Sequence, residues 1–153
     1  MKKEKTQIPS SLDELEGLLN EYFGIKAPQL PENVKEILVK FGPYITLAIL
    51  FFSLPFILGV LGLGAVMSPF AMMGGARLGA GYMLGILVAV VSLVLEIVAL
   101  PGLFKREIKS WRMLFWVSLV TAVGAIFRFD LGALVVGSIV SWYFLFQIRS
   151  YYK

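Results

Sequence analysis

FGPYITLAILFFSLPFILGVLG, residues 41–62, carries no charged side chain. A helix rises 1.5 Å per residue, so a hydrocarbon layer of about 30 Å needs about 20 residues, and this run is long enough to cross. A surface helix of a soluble domain would show a charged side opposite its apolar stripe. Three further runs follow: GAGYMLGILVAVVSLVLEIVAL at 79–100, WRMLFWVSLVTAVGAIF at 111–127 and LGALVVGSIVSWYFLFQI at 131–148. Only RFD separates the last two, so they read as a tight antiparallel hairpin. The expected fold is all-α: a polytopic membrane protein, an antiparallel four-helix transmembrane bundle preceded by a short N-terminal amphipathic cytoplasmic helix. Residues 1–30 form the arm and 31–153 the membrane domain. Whether 63–78 is re-entrant or interfacial stays open.

Composition agrees, since 58% of the chain is hydrophobic and 16% charged, against about 45–50% and about 25% in soluble domains. The absence of Cys excludes disulfides, thiolate catalysis and Cys lipidation, and the absence of His removes the commonest general base and metal ligand. MKKEKTQIPSS leads into an acidic segment and not an apolar core, so it does not read as a cleaved signal peptide. The net charge of +4 is read as membrane orientation, and no nucleic-acid partner is expected. Lys2, Lys3, Lys5, Lys26, Lys35, Lys40, Lys105, Arg106, Lys109, Arg112, Arg149 and Lys153 fall on one side of the four spans. Only Arg77 and Arg128 fall on the other. Cations are retained in the cytoplasm, so both termini are predicted inside.

SSLDELEGLLNEYFGI, residues 10–25, reads as the arm's helix, with Ser11 and Glu14 in capping-box spacing. Leu12, Leu15, Leu18, Leu19, Tyr22 and Phe23 make its apolar face, and Asp13, Glu14, Glu16 and Glu21 the acidic one. Membrane-surface helices present Lys and Arg to anionic lipid, so this acidic helix is expected to dock on a protein partner or on the basic loop of its own chain. Pro31 is placed to open the helix that leads into the first span.

In the second span Gly81, Gly85, Ala89, Ser92, Glu96 and Ala99 recur at three- and four-residue spacing among Ile, Leu and Val. Small residues let helix backbones approach closely in lipid, so this stripe is expected to face the other spans. Ser118, Thr121, Ala125 and Arg128 form a weaker stripe on the third span, and Ala133, Gly137 and Ser141 one on the fourth. Glu96 lies near the inner edge, where Arg112 and Arg149 are expected to join it in a polar clasp, since a buried unpaired carboxylate is costly. Arg128 and Asp130 are expected to clasp the outer turn. Met67, Met72 and Met73 could ligate Cu(I), but an apolar loop explains them equally, and no metal or cofactor is expected.

LPGLFKREIKSWRMLF (100–115), LFQIRSYYK (145–153) and PENVKEIL (31–38) resemble a group of small four-span bacterial membrane proteins for which no activity is established. The resemblance implies a bacterial inner-membrane location and no mechanism. The leading functional expectation is a non-enzymatic scaffold or accessory subunit of a membrane assembly, with the lipid bilayer as solvent and the acidic arm as interaction element. The alternative is a small oligomeric transporter or channel using Glu96 in a proton or cation pathway. An enzyme is not expected, because one carboxylate without a partner base supplies no acid–base pair.

Overall fold

The computed structural model describes residues 11–153, except the side chains at 64, 65, 67, 68, 71, 72, 76–78 and 133. Lys2, Lys3 and Lys5, and the side chains of Met67, Met72, Arg77 and Ala133, lie outside the described residues. Every regular element among the described residues is helical.

Helix α1, Leu12–Leu19, starts where the Ser11 hydroxyl accepts the Glu14 N–H at 3.3 Å. It winds directly into a π-helical stretch, Asn20–Lys26. The wider winding breaks the 3.6-residue register: Leu15, Leu19 and Phe23 pack inward, whereas Tyr22 turns outward. The Pro31 carbonyl then accepts the N–H groups of Val34 and Lys35, opening α2, Glu32–Met73.

Helix α2 is one unbroken element through Pro43, Pro55 and Pro69. Each proline removes one backbone bond, and the bonds around it continue the helix. Forty-two residues extend about 63 Å, twice the thickness of a hydrocarbon layer. The sequence reading ended this element at residue 62. Most of 63–78 is in fact helix, and the turn into α3 centres on Gly75, whose φ of +104° is open to glycine but strained for any side chain.

Helix α3, Ala76–Phe104, likewise runs past the sequence-read end at residue 100, through Pro101. It stops in a Schellman motif in which Glu107 N–H bonds to the Gly102 carbonyl at 2.8 Å and Arg106 takes φ 57°. Helix α4, Ile108–Phe127, closes the same way, with Asp130 N–H on the Ala125 carbonyl at 3.0 Å and Phe129 at φ 57°. A π-helical turn, Ala133–Gly137, then leads into α5, Ser138–Gln147, and a short 3₁₀ turn, Arg149–Tyr151.

Three stretches among the described residues are long and apolar enough to cross a membrane: Glu32–Leu63, Gly79–Phe104 and Ile108–Phe127. The expected fourth span is divided by the π-helical turn, which leaves α5 with 10 residues. In chain order α2 packs on α3, α3 on α4 and α4 on α5, and α5 also packs on Asn20–Lys26. At the arm's end, Val39 of α2 shares one buried cluster with Leu145 and Phe146 of α5.

The core lies at this end of the molecule. Val39, Ala99, Leu103, Trp111, Phe115, Leu145, Phe146 and Tyr152 form one buried cluster, with Leu15, Leu19 and Phe23 of the arm against it. Trp111, which opens the third apolar run, is fully buried and donates its Nε1–H to the Leu145 carbonyl at 2.9 Å.

The close approaches of α3 to α4 are set by Gly102 and Gly124. A β-carbon at Gly102 would collide with the Ser110 hydroxyl, and one at Gly124 would sit 2.9 Å from a Val88 methyl. Gly42, by contrast, has no neighbour within 4 Å of that position. Gly102→Val is therefore expected to destabilise the protein by about 1–3 kcal/mol, as overpacking does. Gly42→Ala should be neutral or stabilising by roughly 0.5–1 kcal/mol. Thermal unfolding of both variants in detergent, followed by circular dichroism, measures the difference.

Candidate functional site

Arg112, in the first turn of α4, and Arg149, just past α5, both reach the arm. Their common partner is Glu16. Arg149 Nη2 and Nε donate to Glu16 Oε1 at 2.7 and 3.1 Å, and Arg112 Nε lies 3.1 Å from Oε2. The Glu16 side chain is only 8% exposed. Arg112 Nη2 also approaches Asp13 at 3.8 Å, and the Arg149 guanidinium stacks 5.4 Å above the Trp111 ring. Each carboxylate oxygen thus faces its own guanidinium, and these charge-assisted bonds hold α1 against α4 and α5.

Gln147 and Tyr143 extend the attachment. Gln147 is buried, donates to the Phe23 carbonyl at 2.8 Å and accepts the Leu30 N–H at 3.2 Å. The Tyr143 hydroxyl donates to the Pro28 carbonyl at 2.7 Å. The C-terminus is tied down beside it, with Lys153 N–H on the Arg106 carbonyl and Ile108 N–H on the Lys153 carbonyl. The arm, the α3–α4 loop and the C-terminus therefore meet at one end of the molecule.

The expected clasp of Glu96 with Arg112 and Arg149 is corrected by this geometry. Both arginines are present, but their acid is Glu16. Helix direction supplies the reason. The contacts Gly102–Ser110 and Val88–Gly124 fix α3 and α4 antiparallel, with Glu96 about 6 Å deeper than Arg112. Side chains lean toward their own helix N-terminus, so on antiparallel helices Arg112 leans to the arm while Glu96 leans away from it. Because α3 runs on to Phe104, Glu96 also sits about 12 Å from the helix end, deeper than a span ending at Leu100 would place it.

Glu96 faces a second site. With Ser53, Ser92, Thr121 and Arg128 it lines a cavity of about 250 Å³ bounded by α2, α3 and α4. Among the described residues no ion pair or hydrogen bond reaches its carboxylate. The Ser92 hydroxyl is enclosed and has no hydrogen-bond partner. Arg128 lines this cavity and also an adjoining, mainly apolar one of about 340 Å³ bordered by Phe56, Val60, Gly81, Tyr82 and Gly85.

The small-residue stripe divides accordingly. Ala99 is buried in the core cluster, whereas Gly81, Gly85, Ala89 and Ser92 border the two cavities. Gly81, Gly85 and Gly137 have open space where a β-carbon would stand. Gly137 and Ser141 line a third cavity, of about 220 Å³, between α4 and α5. Ser118 bridges that interface by accepting the Trp142 indole N–H at 3.0 Å. At the far turn, the Asp130 carbonyl accepts the Leu134 N–H, as a helix-capping position does. Glu16, Gln147, Gly102 and Gly124 were missed by the sequence reading. Only Glu16 carried a signal, as one acid of a face whose partner was left open.

These features define a class: among the described residues, an all-helical protein with three helices long and apolar enough to cross a membrane and a cavity between them that carries a few polar groups. No protein-family model matches the chain, and neither a curated protein nor a solved structure matches it.

Glu16→Gln should weaken the arm's attachment by about 1–3 kcal/mol, because it removes the charge that two guanidinium groups share. Hydrogen exchange at residues 12–26 is expected to accelerate about tenfold or more; unchanged exchange would contradict the clamp. The C-terminus gives a pH test. Burial raises the Tyr152 phenol above its ordinary 10.0, with Arg106 acting in the opposite sense. The folded state therefore holds the phenolic proton more tightly than the unfolded one. Stability is full below pH 10 and falls as pH rises toward the folded value. The thermal midpoint is expected to drop above about pH 10 and to drop less in Tyr152→Phe.

Proposed function

We propose that the chain is an integral membrane protein with its arm and C-terminus in the cytoplasm, and that it works as a small oligomeric transporter or channel with Glu96 in the path of a proton or cation. The observation that carries this reading is the cavity between α2, α3 and α4, in which Glu96 makes no ion pair although Arg128 borders the same space, one turn from an enclosed Ser92 hydroxyl without a partner. An ionisable side chain facing a cavity among apolar helices marks a pathway more often than a packing role. The carboxylate that does pack is Glu16. The segment 131–148, helical on both sides of its π-turn, serves as the fourth span and returns the C-terminus to the arm's side. The positive-inside distribution supports that orientation, and the resemblance noted above supports a bacterial inner membrane.

A second reading, a non-enzymatic scaffold or accessory subunit, keeps one specific support. Asp13 and Glu21 are not enclosed when the arm is clamped, so a basic partner could compete for them with Arg112 and Lys26, which they already face at 3.8 and 2.7 Å. Its Leu15, Leu19 and Phe23, however, are already engaged within the chain.

Reconstitution into liposomes under imposed proton, Na⁺ and K⁺ gradients separates the two. The transport reading expects a flux that Glu96→Gln abolishes while helicity and thermal midpoint are retained. Absence of flux for all three ions would overturn it.

A further inference from the structure

Helices α2 and α3 meet at the arm's end in an uncovered aromatic patch. Tyr44 and Phe104 pack edge to face with ring centres 5.1 Å apart, and the Phe41 ring lies 6.5 Å from that of Tyr44. All three rings are exposed. Because the two helices turn back on one another at Gly75, the Tyr44–Phe104 contact also sets their level. Lys40, one turn before Tyr44, and Lys105, directly after Phe104, both lie beyond the ring pair on the same side. Lys40 Nζ stands 5.9 Å from the Phe41 ring centre. Among the described residues neither lysine forms an ion pair, and no hydrogen bond reaches the Tyr44 hydroxyl.

Depth and charge both bear on what covers this patch. The apolar stretch Gly79–Phe104 ends at the ring pair, so the rings lie at the edge of the hydrocarbon and the lysines just outside it. Lys40 is about 6 Å beyond Tyr44, and on α2 the lean toward the helix N-terminus carries its side chain farther out. Two carboxylates share this end without pairing with the lysines. Glu36 is one turn farther out than Lys40, and Glu107 Oε2 sits over Gly102, on the side of α3 that meets Ser110. Gly102 and Phe104 are two residues apart and so on nearly opposite sides of the helix. The surplus at the aromatic patch is therefore positive.

A zwitterionic lipid does not offset that surplus, since its own ammonium cancels its phosphate, whereas an anionic lipid does. We propose that the patch binds an anionic phospholipid of the cytoplasmic leaflet. Lys40 and Lys105 share its phosphate, with the Tyr44 hydroxyl as a further donor, as basic pockets between spans do for anionic head groups. Its acyl chain runs toward the midplane over Phe104, Pro101 and Ile97, which are exposed and recur at helical spacing on one face of α3. Head and tail thus have the order and depth of a lipid in that leaflet. The proposal goes beyond the transport reading and rests only on the membrane placement.

The full chain, extracted with detergent from vesicles of equal parts phosphatidylglycerol, phosphatidylethanolamine and phosphatidylcholine, is analysed by native mass spectrometry for lipid retained. Phosphatidylglycerol is expected to exceed each of the others by about tenfold, a range that two lysines at a membrane surface supply. Lys40→Gln with Lys105→Gln should abolish that preference, and Phe104→Ala should lower retention of all three lipids together. Lys26→Gln with Lys35→Gln removes the same charge from residues engaged with Glu21 and Gln29 and should leave the preference intact. Equal retention by the unaltered protein overturns the proposal, as does a preference that survives loss of Lys40 and Lys105 in a folded variant. A preference lost equally in the Lys26 and Lys35 variant also overturns it, by showing that net charge and not the patch selects the lipid. So does displacement by glycerol phosphate at equal concentration, which would show that the acyl chain adds nothing. A protein that leaves the vesicles without detergent sinks the membrane placement itself, whereas one that needs detergent and shows no preference sinks this proposal alone.

Discussion

One carboxylate organises the ordered end of this molecule. Glu16 comes from a short helix that could not persist alone, since isolated helices of this length are marginal in water. It is held because two arginines from different helices converge on it and because Leu15, Leu19 and Phe23 bury beside it. The dependence runs both ways. Without the acid, the two guanidinium groups that converge on it would be left facing one another uncompensated, and like charges repel. The arm is therefore part of the core that keeps α4 and α5 together at this end.

Fold class was legible because it rests on length and apolar content, which local sequence states directly. Boundaries were legible only where helix ends follow ordinary capping chemistry. Ser11 marks a start as read. The second span was read as ending at Leu100, where the apolar run ends, whereas α3 continues through Pro101 until Gly102 and Arg106 close it. The break of the last helical segment by a π-turn carries no signal in hydrophobic periodicity, and the packing of α2 to α5 depends on contacts between distant residues that no window contains.

The polar residues show the same division between type and direction. Sequence placed Arg112 and Arg149 at one level as partners for Glu96, a carboxylate in an apolar run. It paired them because depth was counted in residues alone. Side-chain lean decides which groups at similar depth can meet. On antiparallel helices it separates Arg112 from Glu96 and inclines Glu96 and Arg128 toward each other across the cavity they both line.

That separation bears on what Glu96 is for. A packing role requires a partner that the fold itself supplies, and the fold has given both nearby arginines to Glu16. A stray carboxylate among apolar helices would be disfavoured by several kcal/mol, and any apolar residue would fill the cavity better. The same holds for the enclosed Ser92, where alanine would leave no unsatisfied hydroxyl. Glu96, which lines the cavity one turn away and is not used by the protein, is therefore better explained by something that enters the cavity than by the packing of the chain.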